Sequence, residues 1–345
     1  MTSLRMRGLD VVYPGGVHAV RGVDLDVATG ESVGIAGESG CGKTTLALSA
    51  LRLLPKSAAV TGSVELDGEE VLAMRWGRLR AVRWASASIV FQGALHSLNP
   101  VRTVGQQVAE PIILHRHGER ATRAQRAASL TEAEELIGQV GLPRWRADSY
   151  PHELSGGQKQ RVMIAMALAC EPDVIIADEP TTALDVVIQA GILRTLKSLV
   201  ADRGLALIVI SHDLAVLAAT CDRVAVMYAG RIVESGLGSE IFRTPEHPYT
   251  QGLSAAFPTI GDPSSRYAPR GLAGDPPDLA GLPNGCAFAE RCPRADDTCR
   301  TEDPVLTEAT DGRAVACWHP GPPTVEPAGE PTSEPTGEPA AKERA

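Results

Sequence analysis

One stretch of the chain combines a run of glycines with a lysine and a threonine, the residue types that bind phosphate oxygens and Mg²⁺. It fits the pattern G-x-x-x-x-G-K-[ST], with a short apolar segment before it at residues 32–36 and a helix-forming segment after it at residues 46–51. A strand, a glycine-rich loop and a helix in this order are the context that the pattern needs. The residues expected to contact the phosphates are Gly37, Ser39, Gly40, Cys41, Gly42, Lys43, Thr44 and Thr45.

The chemistry of this loop follows from its residue types. Glycines let backbone N–H groups turn inward around phosphate oxygens, and the N-terminus of the following helix adds partial positive charge. Lys43 offers a full positive charge to the β- and γ-phosphates, and Thr44 offers a hydroxyl to Mg²⁺. The loop therefore predicts a site for a nucleoside triphosphate with Mg²⁺.

Two adjacent carboxylates follow a β-branched apolar segment, residues 174–177, of the kind that is buried in a parallel sheet. Asp178 is the expected Mg²⁺ partner of Thr44, and Glu179 is placed to polarise an attacking water as a general base. The alternative is that the two carboxylates only cap the next helix. Their position downstream of a phosphate loop favours the catalytic interpretation.

Two further features are ambiguous when each is taken alone. Ser155-Gly156-Gly157-Gln158 precedes a helical segment, so it is either an ordinary turn or a second anion-binding helix N-terminus. Tyr13 falls at a strand end ahead of the phosphate loop, where it either stacks on adenine or is a half-buried strand aromatic. Neither feature assigns a function by itself.

The whole set of motifs resembles that of the ABC-type ATPases. After the phosphate loop come Gln92, then Leu154-Ser155-Gly156-Gly157-Gln158, then Asp178-Glu179, then Ala183-Leu184-Asp185, then His212. The resemblance implies that residues 155–158 close over an ATP held by the opposite subunit. It also implies that His212 contacts the γ-phosphate, that Gln92 reports its presence through Mg²⁺ or the water, and that Asp185 lies at the dimer seam.

The resemblance extends to the ATPases of oligopeptide and dipeptide importers, the D-type subunit, with the nickel importers close by. It is carried by Leu98-Asn99-Pro100, by His247-Pro248-Tyr249-Thr250 and by a cysteine cluster near the C-terminus. It implies an ATP hydrolase that drives the uptake of di- and oligopeptides. Import of nickel or another small solute, a nucleic-acid-associated ABC ATPase and a regulatory protein with an inactive ATP site are the alternatives.

The same resemblance implies partners and a location. The ATP-sandwich dimer would form with a paralogous ATPase subunit or with a second copy of this chain. Two membrane permease subunits would hold the dimer at the cytoplasmic face of the membrane as a peripheral protein, and an extracytoplasmic peptide-binding protein would act on it indirectly.

Four of the seven cysteines cluster in sequence near the C-terminus: Cys286, Cys292, Cys299 and Cys317. In a reducing compartment such a cluster indicates a metal more than disulfides. Its loose spacing is not the paired CxxC of a zinc ribbon, so an Fe–S cluster, zinc or no metal all remain open from spacing alone. The family resemblance favours a [4Fe–4S] cluster.

The order of these segments predicts an α/β fold. A P-loop (RecA-like) core with a parallel sheet is expected, together with an antiparallel β subdomain, a helical insertion and a small irregular C-terminal region rich in cysteine. We expect an ATPase domain at residues 1–244 with a helical subdomain at about 93–165, and an accessory region at 245–320. Residues 321–345 repeat Glu-Pro and are predicted to be disordered.

Composition narrows the possible partners. The formal net charge of −9 and the 4% aromatic content argue against nucleic-acid binding. No apolar run approaches the roughly 18 residues of a membrane span, and no secretory segment precedes the first strand. We therefore expect a cytoplasmic chain that meets the membrane through a partner.

Overall fold

The computed structural model describes residues 2–91, 93, 97–181, 186–256, 272–309 and 312–322. Gln92, Asp185 and nearly all of the Glu-Pro tail lie outside the described residues. The strands are β1 (Thr2–Tyr13), β2 (Val17–Ala28), β3 (Ser32–Ala36), β4 (Ala59–Leu66), β5 (Glu69–Glu70), β6 (Ala87–Val90), β7 (Val174–Asp178), β8 (Ala206–Ser211), β9 (Arg223–Tyr228), β10 (Arg231–Leu237), β11 (Thr307–Glu308) and β12 (Ala314–Val315).

The α-helices of the described ranges are α1 (Lys43–Ser49), α2 (Trp76–Ala85), α3 (Val104–Ile112), α4 (Arg123–Gln139), α5 (Gly156–Leu168), α6 (Val186–Arg203), α7 (Leu214–Thr220), α8 (Gly238–Arg243), α9 (Pro248–Ala255) and α10 (Asp297–Thr301). Short turns of 3₁₀-helix at Arg144–Asp148, Pro151–Glu153 and Ala289–Arg291, and a π-helical turn at Ile113–His117, connect some of them. Within these ranges, none of the helices combines the length and apolar character that spanning a bilayer requires.

The central sheet has the strand order β11-β12-β10-β9-β3-β8-β7-β6. Its strands from β9 to β6 run parallel, and β10, β12 and β11 add to it in antiparallel pairs. Every residue of β3, β7 and β8 is buried. Along β7, Ile175 packs into the apolar cluster on one face and Val174 and Ile176 into the cluster on the other. The predicted α/β core with a parallel sheet buried on both faces is confirmed.

The smaller sheet is antiparallel, in the order β2-β1-β4-β5. β1 and β2 are joined at residues 14–16, the Pro-Gly-Gly turn, and β4 and β5 pair across Asp67 and Gly68. Buried positions alternate along β2 because one face of the sheet packs against the core. This sheet brings Tyr13, the last residue of β1, close to α1, where its hydroxyl approaches Thr45.

The helical segment contains α3, α4 and α5, each of which begins with a Ser or Thr capping box. Pro111 lies inside α3 and does not end it. The helix tolerates the proline because its missing N–H removes a single hydrogen bond, and the Ile113 N–H two residues later again bonds to the carbonyls of Ala109 and Glu110.

The C-terminal region contains more regular structure than was predicted for it. β12 pairs with β10 through Glu234 opposite Val315 and Ser235 opposite Ala314, and β11 pairs with β12. α9 begins at Pro248 with His247 as its N-cap. Strands of two residues and a helix of eight leave too short a pattern in the sequence to be recognised.

Candidate functional site

The parallel register of the central sheet places the candidate catalytic residues at one edge. Ala36 at the end of β3 lies opposite Ser211 at the end of β8, and Asp178 at the end of β7 lies opposite Ile210. The phosphate loop follows Ala36, Glu179 follows Asp178, and His212 follows Ser211. In such sheets the carboxyl ends of the strands are where ligands bind.

The phosphate loop requires glycine at two of its positions. Gly37 has a φ of 152°, and a Cβ there would lie 2.3 Å from the carbonyl oxygen of Met227. Gly42, the N-cap of α1, has a φ of 104°, and a Cβ there would lie 2.1 Å from the carbonyl oxygen of Ala19. The loop therefore passes so close to neighbouring backbone that only glycine fits.

Lys43 is almost completely buried, and its ammonium group spans the loop. Its Nζ donates to the backbone carbonyls of Gly37 and Glu38, both at 2.7 Å, and lies 3.6 Å from Cys41 Sγ. Burial raises the pKa of the Cys41 thiol, so this side chain is neutral and packs inward. Lys43 is thus a cation held over the loop by carbonyl oxygens, for which phosphate oxygens can substitute.

Asp178 and Thr44 form a pair of oxygen donors beneath the loop. Asp178 is 2% exposed, and burial raises the pKa of its carboxyl, while a hydrogen bond with Thr44 acts in the opposite direction. In the described part of the chain, Asp178 Oδ1 has no hydrogen-bond partner. A buried carboxylate oxygen left open beside a hydroxyl fits the oxygen donor set of Mg²⁺.

Glu179 and His212 lie next to this pair at the ends of neighbouring strands. The Glu179 N–H donates to the carbonyl of Ile210 at 3.0 Å, and its Oε1 lies 3.8 Å from His212 Nδ1. The His212 side chain is 62% exposed, whereas that of Glu179 is 17% exposed. A sheltered carboxylate at the rim of a phosphate site can orient and deprotonate water, and the exposed imidazole can reach a bound anion.

The segment Ser155–Gln158 is built as a helix N-terminus and not as a free turn. Ser155 Oγ accepts from the Gln158 N–H, and Gln158 Oε1 accepts from the Ser155 N–H, which forms a capping box. Ser155 is exposed, Gly156 is half-buried, and Gly157 is buried where a Cβ would lie 2.5 Å from Ile188. Among the described residues, no hydrogen bond or ion pair joins this segment to the phosphate loop of the same chain.

The phosphate loop has two partners that the sequence did not predict. Tyr249 and Arg291, from the C-terminal region, both bond to Glu38 inside the loop. Tyr249 belongs to the motif His247-Pro248-Tyr249-Thr250, which in the sequence indicates family resemblance and no contact with the loop. Arg291 carries no local signal, because its partner lies 253 residues away in the chain. Tyr13 is half-buried, with its hydroxyl 3.3 Å from Thr45 Oγ1, and its stacking on adenine stays a prediction.

The four C-terminal cysteines line one small pocket together with His247 and Phe288. Burial raises the pKa of each of these thiols, that of Cys286 to about 11. A zinc ion bound to sulfur at about 2.3 Å in tetrahedral geometry needs sulfurs less than about 4 Å apart. No three of these four described sulfurs lie within 4.8 Å of one another; among the described residues, the group of three possible ligands that lies this close is Asp296, Cys299 and His319.

Two family models match the chain. One, described as ABC transporter, matches residues 20–182, and the other, described as Oligopeptide/dipeptide transporter, C-terminal region, matches residues 233–299. The second match covers Tyr249, Arg291 and three of the four clustered cysteines.

Curated relatives are similar over most of their length. A probable peptide ABC transporter ATP-binding protein of Sinorhizobium fredii is 47% identical over 87% of this chain and 89% of that protein. The dipeptide transport ATP-binding proteins of Bacillus subtilis and Escherichia coli are 43% and 44% identical, over 89% and 88% of this chain and 90% and 91% of those proteins.

Solved structures share the fold of the cassette. A dimeric structure of MJ0796, described as a bacterial ABC transporter cassette, is 30% identical with a TM-score of 0.59, and covers 68% of this chain and 98% of that chain. A second dimeric structure of the same cassette, in a post-hydrolysis state bound to ADP and Pi, is 29% identical with the same TM-score and coverage.

Proposed function

The chain belongs to the ATP-binding proteins of the peptide ABC transporters, and from this premise we propose that it hydrolyses ATP to power the uptake of di- and oligopeptides through partner permeases. The names of relatives at 43–47% identity support peptides as the cargo and do not favour nickel. The single observation that carries the ATPase assignment is the convergence of Lys43, Thr44, Asp178 and Glu179 at one edge of the sheet.

The geometry supports a division of labour among these residues. Lys43 exchanges its two carbonyl partners for phosphate oxygens when ATP binds. Thr44 and Asp178 would hold Mg²⁺, which supplies neutralisation of charge on the β- and γ-phosphates. Glu179 accepts a proton from the attacking water. His212 stabilises charge at the γ-phosphate. For Gln92, which lies outside the described residues, the family resemblance supports the role of reporting the nucleotide to the helical segment.

A second ATPase subunit is needed to complete the site. The helix N-terminus at Ser155–Gln158 has Ser155 exposed and, among the described residues, forms no hydrogen bond or ion pair with its own phosphate loop, which leaves it able to face another subunit. Dimeric structures exist for a similar cassette. We propose a head-to-tail dimer with a paralogous subunit or a second copy, with Asp185 at the seam.

A groove beside the end of β6 suits a permease. It is lined by Arg80, Trp84, Phe91, Leu114 and His115, among which Phe91 and Leu114 are 41% and 50% exposed. Exposed apolar side chains next to residue 92 would couple a docked permease segment to the nucleotide. Two permease subunits would hold the dimer at the cytoplasmic face of the membrane, with a peptide-binding protein acting through them.

The proposal is tested by transport-coupled ATPase activity. The chain is reconstituted into vesicles with its permeases and second ATPase subunit, and phosphate release is measured with and without peptide-loaded binding protein. We expect stimulation by peptide, loss of turnover in Lys43→Ala, and no change in Lys197→Ala, since Lys197 is exposed on α6. A rate of ATP turnover that does not change when peptide-loaded binding protein is added would contradict peptide import.

For the cysteine pocket we propose a [4Fe–4S] cluster. Four thiols lining one pocket match its ligand type. A cluster that binds each thiolate to a different iron holds them farther apart than a single zinc ion does, in keeping with the absence of three mutually close sulfurs among the described residues. The test is the visible absorption and the iron and zinc content of anaerobically purified protein. Cys299→Ser should lower the iron content and Cys170→Ser should not; stoichiometric zinc without iron would contradict the proposal.

The domain boundaries remain part of the proposal. We assign residues 1–244 to the ATPase domain, with a helical subdomain at about 93–165, and residues 245–320 to an accessory region. The matches of the two family models, at 20–182 and 233–299, support two functional parts.

A further inference from the structure

Arg291, from the accessory region, binds the side chain of Glu38 in the phosphate loop. Its Nη1 donates to Oε2 at 2.7 Å and its Nη2 donates to Oε1 at 3.0 Å. The Arg291 side chain is 6% exposed and the Glu38 side chain 24% exposed. A bidentate, sheltered pair of this kind is directional and largely protected from salt screening.

Tyr249 holds the main chain of the same residue. The Glu38 N–H donates to Tyr249 Oη at 2.8 Å. Tyr249 is fully buried, and its ring packs against those of Tyr228 and Phe288 with centroids 4.5 and 5.5 Å away. Because these rings fix the position of the hydroxyl, the accessory region restrains both the side chain and the backbone of Glu38.

Glu38 is in turn bonded to the lysine of the loop. Its carbonyl oxygen accepts from Lys43 Nζ at 2.7 Å. The same residue also places a carboxylate within a loop that must receive a triphosphate, and an unpaired carboxylate there would repel it. Arg291 supplies the opposite charge in contact with that carboxylate.

We infer that Arg291 and Tyr249 are positioning residues for the phosphate loop, which neutralise Glu38 and set its backbone so that the loop binds ATP. The inference rests on the proposed function and deepens it, since it makes the accessory region part of the nucleotide site. Neither residue touches the nucleotide itself; both act through Glu38.

The test is a double-mutant cycle read out as ATP affinity and as the split between KM and kcat. Arg291→Gln leaves Glu38 charged and unpaired, so we expect the ATP dissociation constant and KM to rise about tenfold, with kcat changed much less. Glu38→Gln in the Arg291→Gln background removes the repulsion and should restore most of the affinity. A purely structural role of Arg291 would give no such rescue.

Arg294→Gln is the matched control. Arg294 lies three residues away and bonds to Gln251 and to the carbonyls of His319, Gly321 and Pro322, all within the C-terminal region. The ATP affinity of the Arg294→Gln variant should equal that of the wild type. If Arg291→Gln does not fold, Tyr249→Phe replaces it, because this variant keeps the ring and removes only the acceptor for the Glu38 N–H; we expect weaker ATP binding there too.

Three results would overturn the inference: wild-type ATP affinity in folded Arg291→Gln or in Tyr249→Phe, equal losses in Arg291→Gln and Arg294→Gln, or no rescue by Glu38→Gln. Failure of the proposed function is distinguishable from these, because it is read on the wild-type chain, as absence of ATP binding or as turnover that does not respond to the peptide-loaded binding protein.

Discussion

Glu179 adopts a backbone conformation that few residues other than glycine adopt, with a φ of 45°. Such a conformation costs about 1–2 kcal/mol for a residue with a Cβ. It is held by the hydrogen bond from the Glu179 N–H to Ile210 on the neighbouring strand, and it directs the carboxylate toward His212 at 3.8 Å. A strained residue next to Asp178 is expected where position matters for chemistry.

Replacing Glu179 with glutamine should separate ATP binding from hydrolysis. The amide keeps the shape but cannot accept the proton of the attacking water, so we expect turnover to fall by about 10²–10⁴-fold while ATP still binds. Phosphate release and nucleotide-dependent dimerisation by gel filtration measure the two steps. Glu135→Gln on the exposed surface of α4 is the control; wild-type turnover in Glu179→Gln would remove the general-base assignment.

The residues of the nucleotide site could be predicted to different extents. Lys43, Thr44 and Asp178 lie in local patterns whose strand and helix context the sequence also carries, so they were predicted and the structure brings them together. Arg291 and Tyr249 were missed because their role depends on a side-chain contact between segments more than 200 residues apart. The hydrophobic periodicity of a sequence does not indicate such a long-range contact.

At the scale of elements, the phosphate loop depends on how closely it passes its neighbours. Gly40 and Gly42 both have positive φ values, 81° and 104°. A Cβ at Gly40 would meet nothing within 4 Å, whereas one at Gly42 would collide with the backbone of Ala19. A substitution at Gly40 therefore introduces conformational strain alone, whereas a substitution at Gly42 adds a steric clash.

Gly40→Ala and Gly42→Ala should differ in stability. For Gly40→Ala we expect the free energy of unfolding to fall by about 1–2 kcal/mol, because alanine is strained in the left-handed conformation. Gly42→Ala adds a clash with a carbonyl that no rotamer change relieves, so its loss should be clearly larger and should abolish ATP binding. Denaturant unfolding without nucleotide measures the difference, and equal losses would contradict the close approach to Ala19.

The N-terminus of α9 is capped by a buried, neutral histidine, His247. His247 Nδ1 accepts from the Tyr249 N–H at 3.0 Å, and burial lowers the pKa of His247 to about 3. The unfolded chain, with an ordinary histidine pKa of about 6.5, takes up a proton below that pH, and the folded chain does not. The stability contributed by neutral His247 is therefore complete above about pH 6.5 and is lost as the pH falls toward 3.

His247→Asn tests this pH dependence, because asparagine keeps an N-cap acceptor and does not titrate. We expect the stability advantage of the wild type over the variant to shrink as the pH falls from about 6.5 to 4. Two other charged or titratable groups face His247: buried Glu234, which accepts from the His247 N–H and whose pKa is raised by burial, and Arg294 near the ring. Both groups are present in the wild type and in the variant, so their contributions cancel in the difference in stability between the two proteins. Parallel stability curves would contradict a neutral His247.

At the scale of the whole molecule, the C-terminal region is continuous with the ATPase core. β12 joins the central sheet through β10, and Arg291 and Tyr249 reach the phosphate loop. The core could be predicted because its parallel strands, each of four to six mostly apolar residues, alternate with helices. The addition of β11 and β12 could not, because two-residue strands are stabilised by the sheet they join and not by a pattern of their own.

In the proposed dimer, Ser155 acts on an ATP held by another subunit. The most direct measurement compares ATP binding to the isolated chain with ATP turnover in the reconstituted transporter for Ser155→Arg. We expect wild-type ATP binding, since Ser155 forms no hydrogen bond with its own phosphate loop in the described part of the chain, together with loss of turnover. Thr122→Arg, which disrupts the similar capping box of α4, should retain turnover. Wild-type turnover in Ser155→Arg would show that this helix N-terminus does not act on the ATP of another subunit.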